Sequence, residues 1–238
     1  MKFIGTRIAL FTLAGVATAP GFMDSFREAL GARLRSQGFE VAQASLYPYG
    51  DWHRRLLPQM LEIVRDITDI HERLWKSAGA RLIKEHVFRA AEAGYTIILA
   101  GHSGGGVTAV QLAGQLAEAG YALPLVVQIG SPKCPIRYEL KDSVLFLAAL
   151  ERHSGRRDPV VRLGSWSGWV RWKRQVPLWK KDAWKPGLAI DLHLMGGHPD
   201  YFRSYAPYMN EKGESNLELT LRPLLCWLGR KLSGSPFS

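Results

Sequence analysis

Five residues near the middle of the chain constrain its fold more than any other feature. The motif Gly101-His102-Ser103-Gly104-Gly105 directly follows residues 95–100, a continuous run of apolar and β-branched side chains. Such a run is too continuous for a half-exposed strand, so it predicts a central strand that is buried on both faces. Residues 107–119 then have the pattern of a helix that ends at Gly120. The sequence therefore places a G-x-S-x-G motif in the turn between a buried strand and a helix.

This position is typical of a nucleophile elbow, a sharp turn that exposes a reactive serine. Glycines stand two residues before and after Ser103, where side chains would collide with neighbouring backbone. The N-terminus of the following helix directs N–H groups and a positive dipole toward the serine, which favours a developing oxyanion. A glycine-rich turn that binds an anion such as phosphate is the alternative interpretation. The flanking strand and helix favour Ser103 as a catalytic nucleophile.

Strands and helices alternate along most of the chain. Further strands are predicted over residues 7–14, 39–46, 125–129, 144–150 and 189–195, with helical patterns after residue 20, over residues 63–87 and over residues 217–228. This alternation predicts an α/β fold with a mostly parallel sheet and helices on both faces. Pro223 is expected to start or to kink the last helix. A length of 238 residues suits one such domain, so residues 1–238 are expected to form a single domain.

A reactive serine needs a general base, and the base needs a carboxylate that fixes its tautomer. With this elbow, the chain order is serine, acid, histidine. Asp158 lies in the polar turn after strand 144–150 and is the predicted acid, although Asp-Pro is also a common turn dipeptide. His198 follows the last predicted strand and is the predicted base; the alternative is a loop histidine with a purely structural hydrogen bond.

Other acids and histidines occupy less suitable places. Asp142 precedes its strand, Asp182 lies in a cationic segment and Asp191 lies within a strand. His193 alternates inside the last strand and is expected to be packed. His102 is the variable residue of the elbow and is expected to point away from the nucleophile.

With Ser103, Asp158 and His198 after successive strands, the chain resembles the α/β-hydrolase superfamily, especially its small lipase-like and esterase-like members. The resemblance covers roughly residues 7–210. It implies a serine hydrolase that cleaves carboxylic esters of small molecules or lipids through a Ser-His-Asp acyl-enzyme mechanism. It also implies an oxyanion hole formed by the N–H groups of Gly104 and of Val16, in the loop after the first strand. No cofactor and no metal is expected.

The fold is expected to be a minimal version of the α/β-hydrolase fold. The chain has no room for the two leading strands of larger members. Only residues 131–142 separate two predicted strands at the position where many members insert a cap domain. The site should therefore be comparatively open, shaped by residues 47–52 and by the stretch before the last strand.

That stretch concentrates both charge and tryptophan. The chain has a net charge of +10, and residues 162–185 contribute seven basic residues against one acid, together with five of the eight tryptophans. Such a mixture suits an anionic membrane surface, and equally an aromatic wall for an acyl group or a trap for an anionic ligand. A tryptophan-rich loop that packs on the fold is the simpler interpretation. Residues 166–185 are expected to border the mouth of the active site.

Two functions of different classes remain. One is a serine ester hydrolase; the other is a non-catalytic hydrolase-like module that binds anionic lipid or another anionic surface through residues 166–185. Thioesterase, amidase and acyltransferase chemistry would use the same triad. Single-stranded nucleic-acid binding fits the composition, but no other feature of the sequence favours it.

The N-terminus imitates a secretory signal, with Lys2, an apolar run and Ala17-Thr18-Ala19. The same run has the pattern of a first buried strand, and cleavage after Ala19 would remove that strand and half of the oxyanion hole. Cys134 and Cys226 cannot form a disulfide framework or a cysteine-based zinc site, which favours a reducing compartment. A cytoplasmic location is therefore expected.

Overall fold

The computed structural model describes residues 7–15, 18–48, 78–172 and 176–233. The regular elements are, in chain order, β1 (Arg7–Leu13), α1 (Asp24–Ser36), β2 (Glu40–Leu46), α2 (Ala78–Glu92), β3 (Thr96–His102), α3 (Gly104–Glu118), β4 (Leu125–Ile129), β5 (Val144–Glu151), β6 (Gly168–Trp172), β7 (Val176–Lys180), β8 (Leu188–Leu194) and α4 (Asn216–Leu232). Within the same described ranges, three short 3-10 helices cover Tyr138–Ser143, Val160–Arg162 and His198–Asp200.

Six of the strands form one parallel sheet in the order β2-β1-β3-β4-β5-β8. The predicted α/β class is thus confirmed. The strand order reverses between β1 and β3, and such a switch point opens a crevice at the carboxyl edge of a sheet. Leu13 of β1 pairs with Gly101 of β3, so the residues after these two strands lie side by side.

The core has two main parts, one on each face of the sheet. Ile8 and Leu10 of β1 belong to a cluster that also contains residues of α1 and α4. Ala9 and Phe11 belong to the opposite cluster, with residues of α2 and α3. Neighbouring positions of a strand point to opposite faces, so β1 supplies both clusters. Helices therefore cover both faces, as predicted.

The last helix, predicted over residues 217–228 with Pro223 as its start or as a kink, begins well before this proline, so Pro223 does not start it. Ser215 and Glu218 form a capping box: the Glu218 carboxylate accepts the Ser215 N–H at 2.8 Å, and the Ser215 hydroxyl accepts the Glu218 N–H at 3.3 Å. This pair satisfies N–H groups of the first turn and fixes the start of α4 at Asn216. Pro223 lies inside the helix.

The connection between β4 and β5 is described throughout and is short. Its regular structure is the 3-10 helix Tyr138–Ser143, which agrees with the expected absence of a cap domain at this position. Part of the predicted helical stretch 63–87 and of loop 47–52 lies outside the described residues; Ala78–Glu92 is helical as expected.

Residues 166–185 contain structure that the sequence did not predict. β6 and β7 form a separate two-stranded antiparallel sheet with Trp169 opposite Trp179.

None of the helices within the described part of the chain is long and apolar enough to cross a membrane.

Candidate active site

Ser103 occupies a strained turn at the carboxyl end of β3. Its backbone has φ 56° and ψ −129°, and it directly precedes Gly104, the first residue of α3. A positive φ is uncommon for a residue with a side chain, and such strain is found at functional turns. The predicted elbow geometry is therefore present at this serine.

The glycines around Ser103 permit three chain segments to approach each other closely. A Cβ added at Gly101 would lie 2.3 Å from the Gly105 carbonyl oxygen, and one at Gly105 would lie 2.0 Å from the Leu13 carbonyl oxygen. A Cβ at Gly15 would lie 2.7 Å from the Ser103 Cβ. The loop after β1 consequently runs directly against the serine.

Asp158 and His198 form a hydrogen-bonded pair. His198 Nδ1 lies 2.8 Å from Asp158 Oδ2, which comes from a residue 40 positions earlier in the chain. Asp158 is buried, with 3% of its surface exposed, whereas the His198 side chain is 23% exposed. The Val160 N–H donates to Asp158 Oδ1 at 2.9 Å. A buried carboxylate thus faces one ring nitrogen of a partly accessible imidazole.

Two opposing effects act on the pKa of Asp158. Burial raises this pKa, while hydrogen bonds from His198, Val160 and Tyr201 and the charge of His198 lower it. The stabilising contacts prevail, so the pKa lies below its usual value. Asp158 is ionised at neutral pH and can stabilise positive charge on His198.

Local turns fix the positions of both residues. Asp158 donates its N–H to the Ala149 carbonyl at 2.9 Å, which folds the turn back onto β5. His198 begins a 3-10 helix, and the buried Asp200 carboxylate accepts the Gly197 N–H at 2.9 Å. The Asn216 amide donates to the Asp200 carbonyl at 2.9 Å, which ties this turn to α4.

Tyr201 is a further residue of the candidate site, and the sequence did not predict it. Its hydroxyl accepts the Ala149 N–H at 2.7 Å and donates to Asp158 Oδ2 at 2.9 Å. Burial and the Asp158 charge raise the pKa of Tyr201, which keeps its hydroxyl protonated as a donor. An aromatic hydroxyl three residues after the predicted base was the only sequence signal for this role.

His102 packs against His198. Their ring centroids are 4.6 Å apart with planes inclined by 28°, and His102 Nε2 lies 3.1 Å from the His198 carbonyl oxygen. Burial and the charge of His198 lower the pKa of His102 to about 3. The variable residue of the elbow is therefore part of the site, a role that the motif alone did not indicate.

Of the two predicted oxyanion-hole donors, Gly104 lies within the described residues and Val16 does not. Gly104 is buried at the first position of α3, beside Ser103. Val16 lies outside the described residues, although its neighbour Gly15 contacts the serine.

Asp182, Asp191 and His193, which the sequence did not favour as site residues, are all exposed. Asp191 is exposed on β8 and forms an ion pair with Arg157. Asp182 lies in the turn after β7. His193 is exposed, so the prediction that it is packed was wrong; it lies on the solvent side of the edge strand β8, whose burial alternates. Within the described ranges, no three His, Cys, Asp or Glu side chains are grouped so as to hold a metal ion.

Comparison with known proteins gives structural neighbours only. No family model matches the sequence, and no curated protein matches it. Among solved structures, the RedJ thioesterase from the prodiginine biosynthetic pathway of Streptomyces coelicolor matches with 15% identity and a TM-score of 0.48, covering 96% of this chain and 95% of that chain. A second structure of RedJ, with a PEG molecule bound in the active site, matches with 15% identity and a TM-score of 0.45 over 94% and 89% of the two chains. Arginase from Bacillus subtilis matches with 13% identity and a TM-score of 0.37 over 98% and 100%.

Proposed function

We propose that this chain is a serine hydrolase that cleaves carboxylic esters, with Ser103 as nucleophile, His198 as general base and acid, and Asp158 as the residue that orients His198. The 2.8 Å contact between His198 Nδ1 and the buried Asp158 carboxylate carries the proposal. A carboxylate at Nδ1 favours the tautomer whose Nε2 accepts a proton, as a general base requires. The strained serine at the carboxyl end of β3 supplies the nucleophile that such a base activates.

In the first half of the reaction, Ser103 Oγ attacks the acyl carbonyl carbon while His198 Nε2 takes the hydroxyl proton. The carbonyl oxygen becomes an oxyanion, and Asp158 stabilises the imidazolium. When the tetrahedral intermediate collapses, the bond to the leaving oxygen breaks and His198 returns its proton to that oxygen. The alcohol departs and the acyl group remains on Ser103.

In the second half, His198 takes a proton from water, and the resulting hydroxide attacks the acyl-serine carbonyl. Collapse of this intermediate releases the carboxylic acid and returns the proton to Ser103. The oxyanion of both steps is assigned to N–H groups of Gly104 and Val16. The position of Gly104 at the start of α3, where the helix dipole is positive, supports the first assignment.

The proposed substrates are esters of small molecules or lipids. A thioester, an amide or a second acyl acceptor would pass through the same acyl-serine, so the leaving group has to be determined by assay. Parallel assays with an oxygen ester, a thioester and an anilide of one acyl group would rank these leaving groups. Extending the acyl chain of the best substrate would then define the pocket.

Covalent labelling tests the proposal directly. A fluorophosphonate is expected to label the folded wild-type chain, and peptide mass mapping is expected to place the adduct on Ser103. Ser103→Ala should abolish both labelling and ester hydrolysis. Ser154→Ala is the matched control, because Ser154 is an exposed serine in the turn before Asp158 and should leave both signals unchanged.

Two outcomes would contradict the proposal: an adduct on another serine, or a folded wild-type chain that is neither labelled nor active on any ester. The second outcome, combined with binding to anionic vesicles, would favour the alternative of a non-catalytic module that binds anionic lipid through residues 166–185. The exposed apolar side chains of the β6–β7 hairpin are the observation that keeps this alternative in consideration.

A further inference from the structure

The hairpin formed by β6 and β7 presents apolar side chains on both of its faces. Trp169 is opposite Trp179, and side chains of directly opposed residues share a face. These two indoles are 59% and 55% exposed and contact each other edge to face, with centroids 5.5 Å apart. Val176 and Leu178 alternate onto the other face and are 57% and 47% exposed. Water thus surrounds an apolar ribbon.

The base of the hairpin is firmly attached to the fold. Trp166 is buried and packs edge-on against Phe146 of β5, with centroids 4.9 Å apart. The Trp184 N–H donates to the Trp166 carbonyl at 2.8 Å, and the Ile136 N–H donates to the Trp184 carbonyl at 2.8 Å. The exposed ribbon is therefore part of an element that is fixed to the rest of the fold at its base. These contacts lie along β5 and the connection that precedes it.

Positive charge accompanies the exposed indoles. Lys180 and Lys181 directly follow Trp179 and are both exposed. The surrounding stretch, residues 162–185, has seven basic residues and one acid. An anionic surface therefore complements this part of the molecule.

We infer that the β6–β7 hairpin docks the protein on an anionic lipid surface, with Trp169, Trp179 and Leu178 entering the interface and Lys180 and Lys181 facing the headgroups. A folded protein partner covers one face of a two-stranded ribbon, whereas lipid surrounds an inserted ribbon on both faces. Indoles suit this boundary because the ring is apolar and the N–H stays hydrated. This docking is independent of the chemistry proposed for Ser103.

Sedimentation with sucrose-loaded vesicles tests the docking. The full chain is expected to bind vesicles of phosphatidylglycerol and phosphatidylcholine, to bind phosphatidylcholine alone far more weakly, and to lose affinity as salt rises. Trp169→Ala with Trp179→Ala, and separately Lys180→Glu with Lys181→Glu, should each lower the partition coefficient about tenfold or more. Brominated lipid should quench the tryptophan fluorescence of the wild type.

Two controls separate docking from general charge and from catalysis. Arg33→Glu with Arg35→Glu makes the same change in net charge on the exposed side of α1 and should leave binding nearly unchanged. Ser103→Ala should bind as the wild type does.

Three results would contradict docking at the hairpin. The wild-type protein could stay in the supernatant at low salt, or the hairpin variants could bind vesicles as the wild type does. The third is a loss of vesicle binding in the α1 control that equals the loss in the hairpin variants. Binding to a single-stranded oligonucleotide but not to vesicles, with the same variants affected, would assign the surface to nucleic acid instead.

A separate observation concerns His102, whose contacts lie behind the proposed base. A carbonyl oxygen can only accept, so the 3.1 Å contact with the His198 carbonyl makes His102 Nε2 the donor. The rings of Phe22 and Phe202 enclose His102 at 5.1 and 5.5 Å. Its Nδ1 is buried and has no hydrogen-bond partner among the described residues, which fits the unprotonated nitrogen of a neutral ring.

We also infer that His102 is a positioning residue, which holds the main chain of His198 through Nε2–H and supports the His198 ring by stacking. This inference rests on the proposed function. Among the described residues, the titratable groups whose charge would act on His102 are His198 and Asp158, and Tyr201 contacts its ring edge-on. Because burial keeps His102 neutral, its ring does not repel the imidazolium that forms on His198 during the reaction.

Two substitutions separate positioning from packing. His102→Gln retains an N–H donor, whereas His102→Phe retains a flat ring without one. His102→Phe should slow ester hydrolysis and fluorophosphonate labelling of Ser103 by about 10- to 100-fold. The loss should appear in kcat rather than in KM, because a misplaced His198 weakens the transition state and leaves substrate binding intact. His102→Gln should remain within a few-fold of the wild type.

Equal rates in wild type and His102→Phe, equal impairment of both variants, or a loss confined to KM would contradict the positioning role. Failure of the wild type itself to be labelled would instead contradict the proposed function.

Discussion

Asp158 places a carboxylate in a buried position where three donors surround it. His198 Nδ1 and the Tyr201 hydroxyl approach Oδ2, and the Val160 N–H approaches Oδ1. Burying a carboxylate costs free energy unless such donors replace water. The Ala149 N–H in turn donates to the Tyr201 hydroxyl, so the main chain of β5 is linked through Tyr201 and Asp158 to His198. This chain of hydrogen bonds sets the orientation of the proposed base.

Replacing either member of the pair is expected to impair catalysis while the fold survives. Asp158→Asn should lower kcat by about four powers of ten, because the amide favours the wrong imidazole tautomer, and His198→Ala should have an effect of similar size. Ester hydrolysis at saturating substrate measures the loss, and the near-UV circular dichroism checks the fold. The exposed pair Asp191→Asn and His193→Ala are the controls. A crippling effect of either control would overturn the assignment.

Tyr201→Phe tests the link between β5 and the carboxylate. The variant should lower the free energy of unfolding by about 1–3 kcal/mol, because the Ala149 N–H and one lone pair of Asp158 lose a buried partner. Activity should fall less than in Asp158→Asn, since the contact with His198 remains. Urea unfolding measures the free energy of unfolding, and ester hydrolysis at saturating substrate measures the activity. Unchanged stability would mean that water replaces the hydroxyl.

The folded state is expected to lose stability in mild acid because of His102. Its pKa of about 3 lies below the value of about 6.5 for an unfolded histidine, so between these values only the unfolded chain takes up the proton. This contribution is complete above pH 6.5 and is lost as pH falls toward 3, by about 2 kcal/mol between pH 7.5 and pH 5.

Urea unfolding at these two pH values measures that loss. His102→Gln should reduce the difference by about 2 kcal/mol, since its amide does not titrate. An identical pH dependence in both chains would mean that His102 is protonated in the folded state. Asp158 affects the free energy of unfolding at lower pH than His102 does. The pKa of Asp158 is lower in the folded state than in the unfolded state, so its stabilising contribution is present above the unfolded-state pKa. This contribution is lost as the pH falls through the folded-state pKa.

Residue positions that depend on chain order could be predicted, and those that depend on distant contacts could not. Asp158 and His198 follow strands whose carboxyl ends meet at one edge, so their order along the chain was informative. His102 contacts His198 across 96 positions, and Tyr201 contacts Ala149 across 52. A lone histidine or tyrosine carries no local signal for such a partner. The catalytic roles themselves remain predictions.

At the scale of elements, the elbow works because α3 begins almost in contact with β1. Gly105 makes this approach possible, since an added Cβ would meet the Leu13 carbonyl oxygen at 2.0 Å. Backbone atoms in the central sheet cannot move aside as a flexible side chain can. The position of Ser103 relative to the loop after β1 thus depends on Gly105, a residue without any reactive group.

Gly105→Ala is therefore expected to destabilise the fold by about 1–3 kcal/mol or more, and to lower the labelling of Ser103. Gly229→Ala is the matched control: a Cβ there meets nothing within 4 Å, and it lies inside α4. That substitution should stabilise the protein by up to about 1 kcal/mol, because alanine favours a helix. Thermal unfolding measures both changes. Two shifts of the same sign would refute the steric argument.

Elements that bury at least one face in the core could be predicted from the sequence, whereas the β6–β7 hairpin could not. The alternating and continuous apolar runs of the six-stranded sheet follow from burial on one or both faces. β7 is exposed at all five of its positions, so no face of it is selected for burial. Its mixture of tryptophan, cations and proline resembles a loop. The sequence pattern over residues 217–228 agrees with α4, whereas the alternative that Pro223 starts this helix did not take account of the capping box at Ser215.

At the scale of the molecule, β1 connects both faces of the core to the elbow at Ser103. It pairs with β2 on one side and β3 on the other, and its alternating side chains enter both large core clusters. Its last residue, Leu13, contacts the elbow, and Gly15 lies against Ser103. Arg7–Leu13, part of a segment that resembles a cleavable signal at the sequence level, thus forms a strand inside the sheet of the folded protein.

A chain that begins at Pro20 is therefore expected not to fold. It would lack Ile8, Leu10 and Leu13, each of which is fully buried. Burying each of these side chains contributes about 1.5–3 kcal/mol, so their loss approaches the 5–15 kcal/mol of a typical domain before two ladders of hydrogen bonds are counted. Circular dichroism and fluorophosphonate labelling of the truncated chain test this expectation, and a chain that begins at Arg7 is the control because it keeps all of β1. A cooperatively folded, labelled product that starts at Pro20 would show that β1 is dispensable, and the N-terminal segment would then be free to act as a signal.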